Sequence, residues 1–234
     1  MTKEVLHSDD SGMENSVSIV VVNYNAGTLL EPCIDLSLHQ AREVILVDNA
    51  SADGSMDEVT RRFREDSRLT VIRNETNLGF AVACNIGAKV TTGQFVLFLN
   101  PDAALEEGAV SQLRLALDAN PKAGMAGGLL LDIKGKEQGG GRRAVPTPWR
   151  SLVRVFHLSR FSDRWPKLFA GFDLHKQPLP DGPIEVEAIS GACTMVKRHA
   201  MQDVGPWDEQ YFLHCEDLDL CMRYRQKGWT ILFV

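Results

Sequence analysis

Asparagine and aspartate recur in four short clusters: Asn23-Tyr24-Asn25, Asp48-Asn49-Ala50-Ser51-Ala52-Asp53-Gly54-Ser55, Asn74 with Asn77-Leu78-Gly79-Phe80, and Asn100-Pro101-Asp102. These residue types form turns and make good hydrogen-bond partners, so any one cluster alone reads as an ordinary turn. Each cluster, however, follows a run with the character of a buried strand, and the ends of neighbouring parallel strands converge in space. Together the clusters point to a site for a polar ligand. No GxGxxG and no GxxxxGK[ST] follows the first run, which leaves a dinucleotide or P-loop phosphate cradle unsupported. A ligand carrying a diphosphate must then be neutralised in another way. A carboxylate holding a hard divalent cation, Mg2+ or Mn2+, meets that need. Asp102 is placed for this role; its competing reading is the N-cap of the helix that follows.

The elements that carry these clusters are legible in the apolar pattern. Val17-Ser-Ile-Val-Val-Val22 is β-branched and nearly continuous, the mark of a strand covered on both faces. Similar strands are predicted at Val44–Val47, Leu69–Ile72 and Phe95–Leu99, with helices alternating between them. Thr28 with Glu31 and Ser55 with Glu58 have capping-box spacing. Phe80–Ala88 reads as a helix with a small-residue face, and another helix from about Ala104 to Ala119 stops before Pro121. This alternation predicts a mostly parallel α/β sheet with helices on both faces, a Rossmann-like layout over residues 17–131. Ligands of such sheets settle beyond the carboxyl ends of the strands.

Residues 132–185 change character. GKEQGGGRRAVPTP is rich in glycine and proline, and residues 142–169 carry seven Lys/Arg against one Asp. In that stretch Trp149, Leu152, Val153 and Phe156 share one helical face, and Phe161, Trp165, Leu168 and Phe169 an offset one. Two readings stay open: a lid over the site, or peripheral contact of residues 142–169 with an anionic membrane surface that draws in a lipid-linked acceptor. Regular structure resumes over residues 186–234. Strands are predicted at Val186–Ile189 and Cys193–Val196, then a helix from near Glu216 to a stop at Lys227-Gly228, then an apolar strand Thr230–Val234.

Composition narrows the class. The 234 residues suit one large domain, and 44% hydrophobic with 24% charged residues is ordinary globular usage. The formal charge, 25 − 31 = −6, argues against a nucleic-acid partner. No apolar run approaches the roughly 20 residues that cross a bilayer. Residues 1–16 read as a disordered polar tail without the apolar centre of a signal peptide. Cys33, Cys84, Cys193, Cys215 and Cys221 are scattered and free of CxxC pairs, which indicates neither a disulfide framework nor zinc. The expectation is a cytoplasmic α/β protein.

Six ordered blocks then carry a resemblance: VNYN (22–25), VDNASADGS (47–55), NLGFAVACNIG (77–87), LNPD (99–102), SGACTMVKR (190–198) and VGPWDEQYFLHCEDLDLCMRYRQKGW (204–229). In order and spacing they resemble the family 2 glycosyltransferases, over about residues 17–234, with VDNAS and LNPD most similar to a rhamnosyltransferase-like branch. The resemblance implies a GT-A fold, a nucleotide-diphosphate sugar donor, a divalent metal and inversion at the anomeric carbon. It implies that Asn23 and Asn25 line the nucleotide pocket and that Asp48 meets base or ribose, with Asn49 and Asn100 in the same nucleotide-sugar site. Asn77, Gly79 and Asn85 would shape the floor. Asp102 matches the last acid of the family's DxD metal motif, whose first acid is here Asn100. Asp217 matches the catalytic base, Glu216 orients the site or contacts acceptor, and Trp207 and Asp208 border the acceptor.

General chemistry supports Asp217 separately. Displacement at an anomeric carbon needs a base for the acceptor hydroxyl and positive charge for the departing diphosphate. The first turn of a helix favours an ionised carboxylate. The branch implies dTDP-rhamnose as donor and a cell-surface glycan or lipid-linked acceptor; the basic residues 142–169 add the expectation of a place at the inner face of the cell membrane. In the family the chain runs on past this last strand, to a histidine that commonly supplies another metal ligand, so the sequence reads as a fragment or a shortened form. Two alternatives remain: a donor-binding but inactive protein, and a sugar nucleotidyltransferase. The latter would want a cationic, glycine-rich phosphate loop, and VNYNAG offers no cation.

Overall fold

The computed structural model describes residues 16–145, 152, 174 and 177–234. The expected tail and nearly all of the basic stretch beyond Val145, with its two apolar faces, lie outside the described residues. Strand β1 (Val17–Asn23) leads through a 3-10 turn (Gly27–Leu29) into α1 (Leu30–Leu38). Then follow β2 (Glu43–Asp48), α2 (Ser55–Arg62), β3 (Leu69–Arg73), α3 (Phe80–Val90), β4 (Phe95–Leu99), α4 (Ala109–Ala119) and β5 (Ala123–Gly127). After the short strand β6 (Arg142–Arg143) come β7 (Ile184–Val186), β8 (Ala188–Ile189), β9 (Cys193–Lys197), α5 (Arg198–Val204), α6 (Glu216–Gln226) and β10 (Thr230–Phe233).

The main sheet has the order β3-β2-β1-β4-β9-β5-β10-β7, and β6 pairs with β8 beside it. Strands β3, β2, β1 and β4 pair in parallel, as the alternation predicts, and β10 is parallel to β5. Strands β9 and β7 run against the rest: β9 is antiparallel to both β4 and β5, and β7 to β10. The α/β, mostly parallel expectation therefore holds, with a reversed strand set into the middle of the sheet. Among the described residues no helix is long and apolar enough to cross a membrane.

Alternation along β1 explains why its sequence is apolar throughout. Val17, Ile19 and Val21 face one core, packed with Leu30 and Ile34 of α1 and Leu113 and Leu117 of α4. Val20 and Val22 face the other, packed with Ala81, Ala83 and Cys84 of α3 and with Leu220, Cys221 and Tyr224 of α6. Both faces of the sheet are dry at β1, as the centre of a largely parallel sheet requires.

Helix starts differ from the sequence expectation in an instructive way. Neither capping box forms. Thr28 is taken into the 3-10 turn, and α1 begins at Leu30 without a side-chain cap. Ser55 is already inside α2, behind a left-handed Gly54, and Asp53 takes over: its Oδ1 accepts from the Ser55 amide at 3.1 Å and from Ser55 Oγ at 2.6 Å. The fourth expected helix starts at Ala109 rather than near Ala104, after Gly108 in the left-handed region. Asp102 is thus not its N-cap.

The close approach of α3 to the sheet depends on Gly87. A Cβ there would sit 2.5 Å from Val20 Cγ1 and 3.1 Å from Val47 Cγ2. Gly87→Ala gains about 1 kcal/mol of helix propensity. Overpacking two buried valines costs about 1–3 kcal/mol. We expect net destabilisation, read as a lower urea midpoint with unchanged slope; an equal or higher midpoint would contradict this packing.

Candidate functional site

The strand exits meet along one edge of the sheet, and the register places Asn23 of β1 directly beside Asp48 of β2. Asn23 is wholly buried. Its Nδ2 lies 3.0 Å from Asp48 Oδ1, 2.9 Å from Ser51 Oγ and 3.1 Å from Ser55 Oγ, while its Oδ1 accepts from the Ala26 amide at 3.3 Å. The exposed Asn25, with φ of 55°, accepts from the Ala52 amide at 2.9 Å. The Gly27 amide donates to Asp53 Oδ2 at 2.7 Å. These bonds lash the first exit loop to the second.

The second loop is lashed in turn to the third. Buried Asn49 donates to the Gly79 carbonyl at 3.1 Å and accepts from Asn74 Nδ2 at 2.8 Å. Asn77 Oδ1 accepts from the Gly79 amide at 3.0 Å. Gly79, with φ of 86°, lies against Phe212: a Cβ would be 2.6 Å from the Phe212 carbonyl oxygen. That carbonyl accepts from the Phe80 amide at 3.0 Å, seating the loop before α6 on the start of α3.

Asn85 sits on the other side of α3. Its Nδ2 donates to the Trp207 carbonyl at 2.9 Å and to Glu209 Oε1 at 3.0 Å, and its Oδ1 accepts from the Trp207 amide at 3.0 Å. Trp207 is buried, edge-on to Phe80 and Phe98 with ring centroids 5.6 and 5.2 Å away. Asp208, half-buried, accepts from the Gln210 amide at 3.0 Å. An apolar cavity of about 240 Å3 lies behind this tryptophan, between the far end of α3, α5 and α6. It shares Asn85 and Trp207 with the site but none of the strand-exit residues.

The catalytic candidates converge on the segment between β8 and β9. The Asn100 amide, at the β4 exit, donates to the Ala192 carbonyl at 2.9 Å. The Gly191 amide donates to Asp217 Oδ2 at 3.2 Å. Arg143 Nη2 also reaches Asp217 Oδ2, and donates to the Ile189 carbonyl at 3.1 Å. A Cβ on Gly191 would lie 3.4 Å from Asp217 Cβ and 3.8 Å from both Phe80 and Trp207. Asn100, Asp217, Phe80 and Trp207 thus border one small patch of backbone.

Asp102 is exposed, and its side chain makes no hydrogen bond or ion pair among the described residues; the same holds for the half-buried Asn100 side chain. Its charge is felt at Cys33 of α1, whose thiol is pushed up to about 12, first by burial and further by Asp102. No group of three His, Cys, Asp or Glu that could hold a metal occurs among the described residues. Among the described residues, the strand exits therefore offer a cation the unpaired carboxylate of Asp102 and no second acid grouped with it. That fits a hard cation completing its coordination with phosphate oxygens and water. It does not fit a metal held by the protein alone.

Glu216 is 8% exposed and its Oε2 has no partner among the described residues. Burial raises its proton affinity, and the neighbouring Asp217 charge adds to that, against His214 and Arg143. Sequence reasoning missed Arg143 as a partner of Asp217, counting it only as part of a basic stretch. It also missed the structural use of Asn85. Of the seven basic residues expected to form a lid or membrane face, Arg142 and Arg143 are spent on internal ion pairs, and the other five lie outside the described residues.

The raised Glu216 affinity fixes the sign of a pH effect. The folded state holds this proton more tightly than the unfolded chain does. Its contribution to stability is complete below the unfolded value of about 4.3. It drains away as pH rises through the folded value. Glu216→Gln should therefore raise the melting temperature over wild type by more at pH 7 than near pH 4. A gap independent of pH would count against the buried ionisable reading.

The family model described as Glycosyl transferase family 2 matches residues 18–205. The chain is 28% identical over 236 residues to the N-acetylglucosaminyl-diphospho-decaprenol L-rhamnosyltransferase of Mycobacterium tuberculosis, covering 95% of this chain and 74% of that protein. It is 32% identical over 104 residues to the glycosyltransferase GlyG of Streptococcus pneumoniae, covering 43% of this chain and 35% of that protein. Among solved structures, a mannosyltransferase from Pyrobaculum calidifontis in complex with GDP-Man and Mn2+ superposes with a TM-score of 0.61 at 19% identity. GalNAc-T7 with UDP, GalNAc and Mn2+ gives 0.68, also at 19% identity. Each match covers 94% of this chain, which spans 56% and 41% of those two chains. Both likenesses speak to the fold.

Proposed function

The chain belongs to glycosyl transferase family 2, and on that premise we propose that it transfers a sugar, rhamnose, from dTDP-rhamnose to a lipid-linked or glycan acceptor, with inversion and with a divalent cation. The observation that carries the reading is the patch at residues 190–192. Through it the β4 exit, which bears Asp102, and the carboxylate of Asp217 share one wall, by hydrogen bonds of 2.9 Å and 3.2 Å. The rhamnosyl donor and the lipid-linked acceptor are supported by the name of the mycobacterial relative, and the cation by the Mn2+ in the two solved neighbours.

In this mechanism the nucleotide lies against the loops held by Asn23, Asp48 and Asn49, whose buried amides and carboxylate keep the rim in a single conformation before the donor arrives. Asn25, Asn77, Gly79 and Asn100 would line the same nucleotide-sugar site, and Asn85 would act through its hydrogen bonds to the Trp207 backbone. Asp102 would hold the Mg2+ or Mn2+, which supplies positive charge to the diphosphate as it departs. Asp217 takes the proton of the acceptor hydroxyl. That oxygen forms its bond to the anomeric carbon from the face opposite the diphosphate. The carbon–oxygen bond to the phosphate breaks, and its electron pair leaves with the nucleotide. Glu216 and Asp208 stand on the acceptor side.

Two measurements test the reading. Asp217→Asn should bind dTDP as wild type does and lose transfer by about 100- to 10,000-fold, the usual worth of a general base; transfer within a few-fold of wild type removes it from that role. Isothermal titration of dTDP with Mn2+ into Asp102→Asn should show the metal-dependent part of the affinity gone, with metal-free binding retained. If dTDP binds wild type and no nucleotide sugar turns over even at high enzyme, an inactive donor-binding protein is the better description.

A further inference from the structure

β6 is only two residues long, and strand alternation sends its two arginines opposite ways. Arg142 is buried, pairs with Glu137 at 2.8 and 3.0 Å, and donates to the carbonyls of Gln177 and Pro178 at 2.7 and 3.2 Å. Its guanidinium also lies 5.2 Å from the centre of the Phe233 ring. Arg142 is a fixed anchor. It leaves Arg143 little freedom, and Arg143 reaches across to the Ile189 carbonyl and to Asp217.

The way the donors divide over the Asp217 carboxylate is informative. Oδ2 receives both Arg143 and the Gly191 amide, while Oδ1 receives only the Leu218 amide, at 2.8 Å. An ionised carboxylate oxygen has two lone-pair sites. Oδ2 is filled, and Oδ1 keeps the capacity to accept a proton.

We propose that Arg143 is a positioning residue for the transfer reaction, holding Asp217 by Oδ2 so that Oδ1 is the oxygen that receives the acceptor's proton. The inference rests on the assignment of Asp217 as base and adds which atom acts and what aims it. Arg143 touches neither donor nor acceptor in this role. Its removal acts through Asp217 and leaves donor binding alone.

The test measures rhamnosyl transfer from dTDP-rhamnose to an N-acetylglucosaminyl-diphospho-polyprenol acceptor by wild type, Arg143→Ala and Arg143→Lys, each also in an Asp217→Asn background. Misaiming a reacting group costs roughly 100-fold, so Arg143→Ala should lose about that in kcat with KM for the donor within a few-fold. Arg143→Lys should recover part of the loss, and millimolar guanidinium should rescue Arg143→Ala. In the Asp217→Asn background Arg143→Ala should cost nothing more, because the two residues act as one unit. Full kcat in Arg143→Ala overturns the proposal, as does an equal loss in both backgrounds or a loss confined to donor KM. If Arg143→Ala fails to fold, Arg143→Lys decides: a folded lysine variant with wild-type kcat overturns the proposal, and a reduced kcat that is lost with Asp217 supports it. A wild-type chain that transfers nothing sinks the rhamnosyl-transfer reading on which this inference rests, whereas transfer indifferent to residue 143 sinks this inference alone.

Discussion

Residues 189–192 are the point on which the rest of the architecture turns. In four residues the backbone accepts from Arg143, is held by the Gly141 carbonyl through the Ser190 amide at 3.1 Å, donates to Asp217 and accepts from Asn100. These contacts bring together β6, α6 and the exit of β4, three elements far apart in sequence. The strand that follows, β9, is the one inserted antiparallel between β4 and β5. The reversal has a geometric use: a strand beginning beside the exit of β4 delivers its preceding loop to the same edge where the parallel strands end. A parallel strand in that position would have delivered its far end instead.

The asparagines around this edge brace the backbone more than they present themselves to solvent. A buried amide with all its partners contributes only about 1 kcal/mol net, but one deprived of a partner costs about 1–3 kcal/mol. Asn23, Asn49 and Asn85 are each buried with both ends of the amide engaged, so the loops they join are held in one arrangement. Such rigidity would matter for the proposed cation, since among the described residues Asp102 has no second acid grouped with it. The non-glycine left-handed residues Asn25, Ala50, His214 and Cys215 fall in the same loops. Backbone strain of this kind persists where the surroundings over-determine it.

Much of this was legible in the sequence, for reasons that also mark the limit. The parallel half could be read because strands covered on two faces must be apolar at every position, as Val17–Asn23 is. The clusters at the strand exits could be read because turn chemistry and ligand chemistry use the same residue types there. The caps could not: Ser55 and Glu58 have the right spacing, yet Asp53 two residues earlier offers a better acceptor and moves the boundary. The place of β9 in the sheet could not be read either, since Cys193–Lys197 carries no local mark of its neighbours or direction. Nor could the pairing of Arg143 with Asp217, which joins residues 74 positions apart. Summing charge over a window groups Arg142 and Arg143 with their neighbours, whereas the pleat of a two-residue strand separates them.

The buried guanidinium of Arg142 grips chain 35 residues further on, where it meets the carbonyl of Gln177. Glu137, Arg142, Gln177 and Pro178 are therefore tied at a single knot beside Phe233. Arg143, next along the same backbone, is thereby held against the Ile189 carbonyl and Asp217. The two-residue strand thus works as a rivet: one guanidinium faces residues 137 and 177, the other the start of α6.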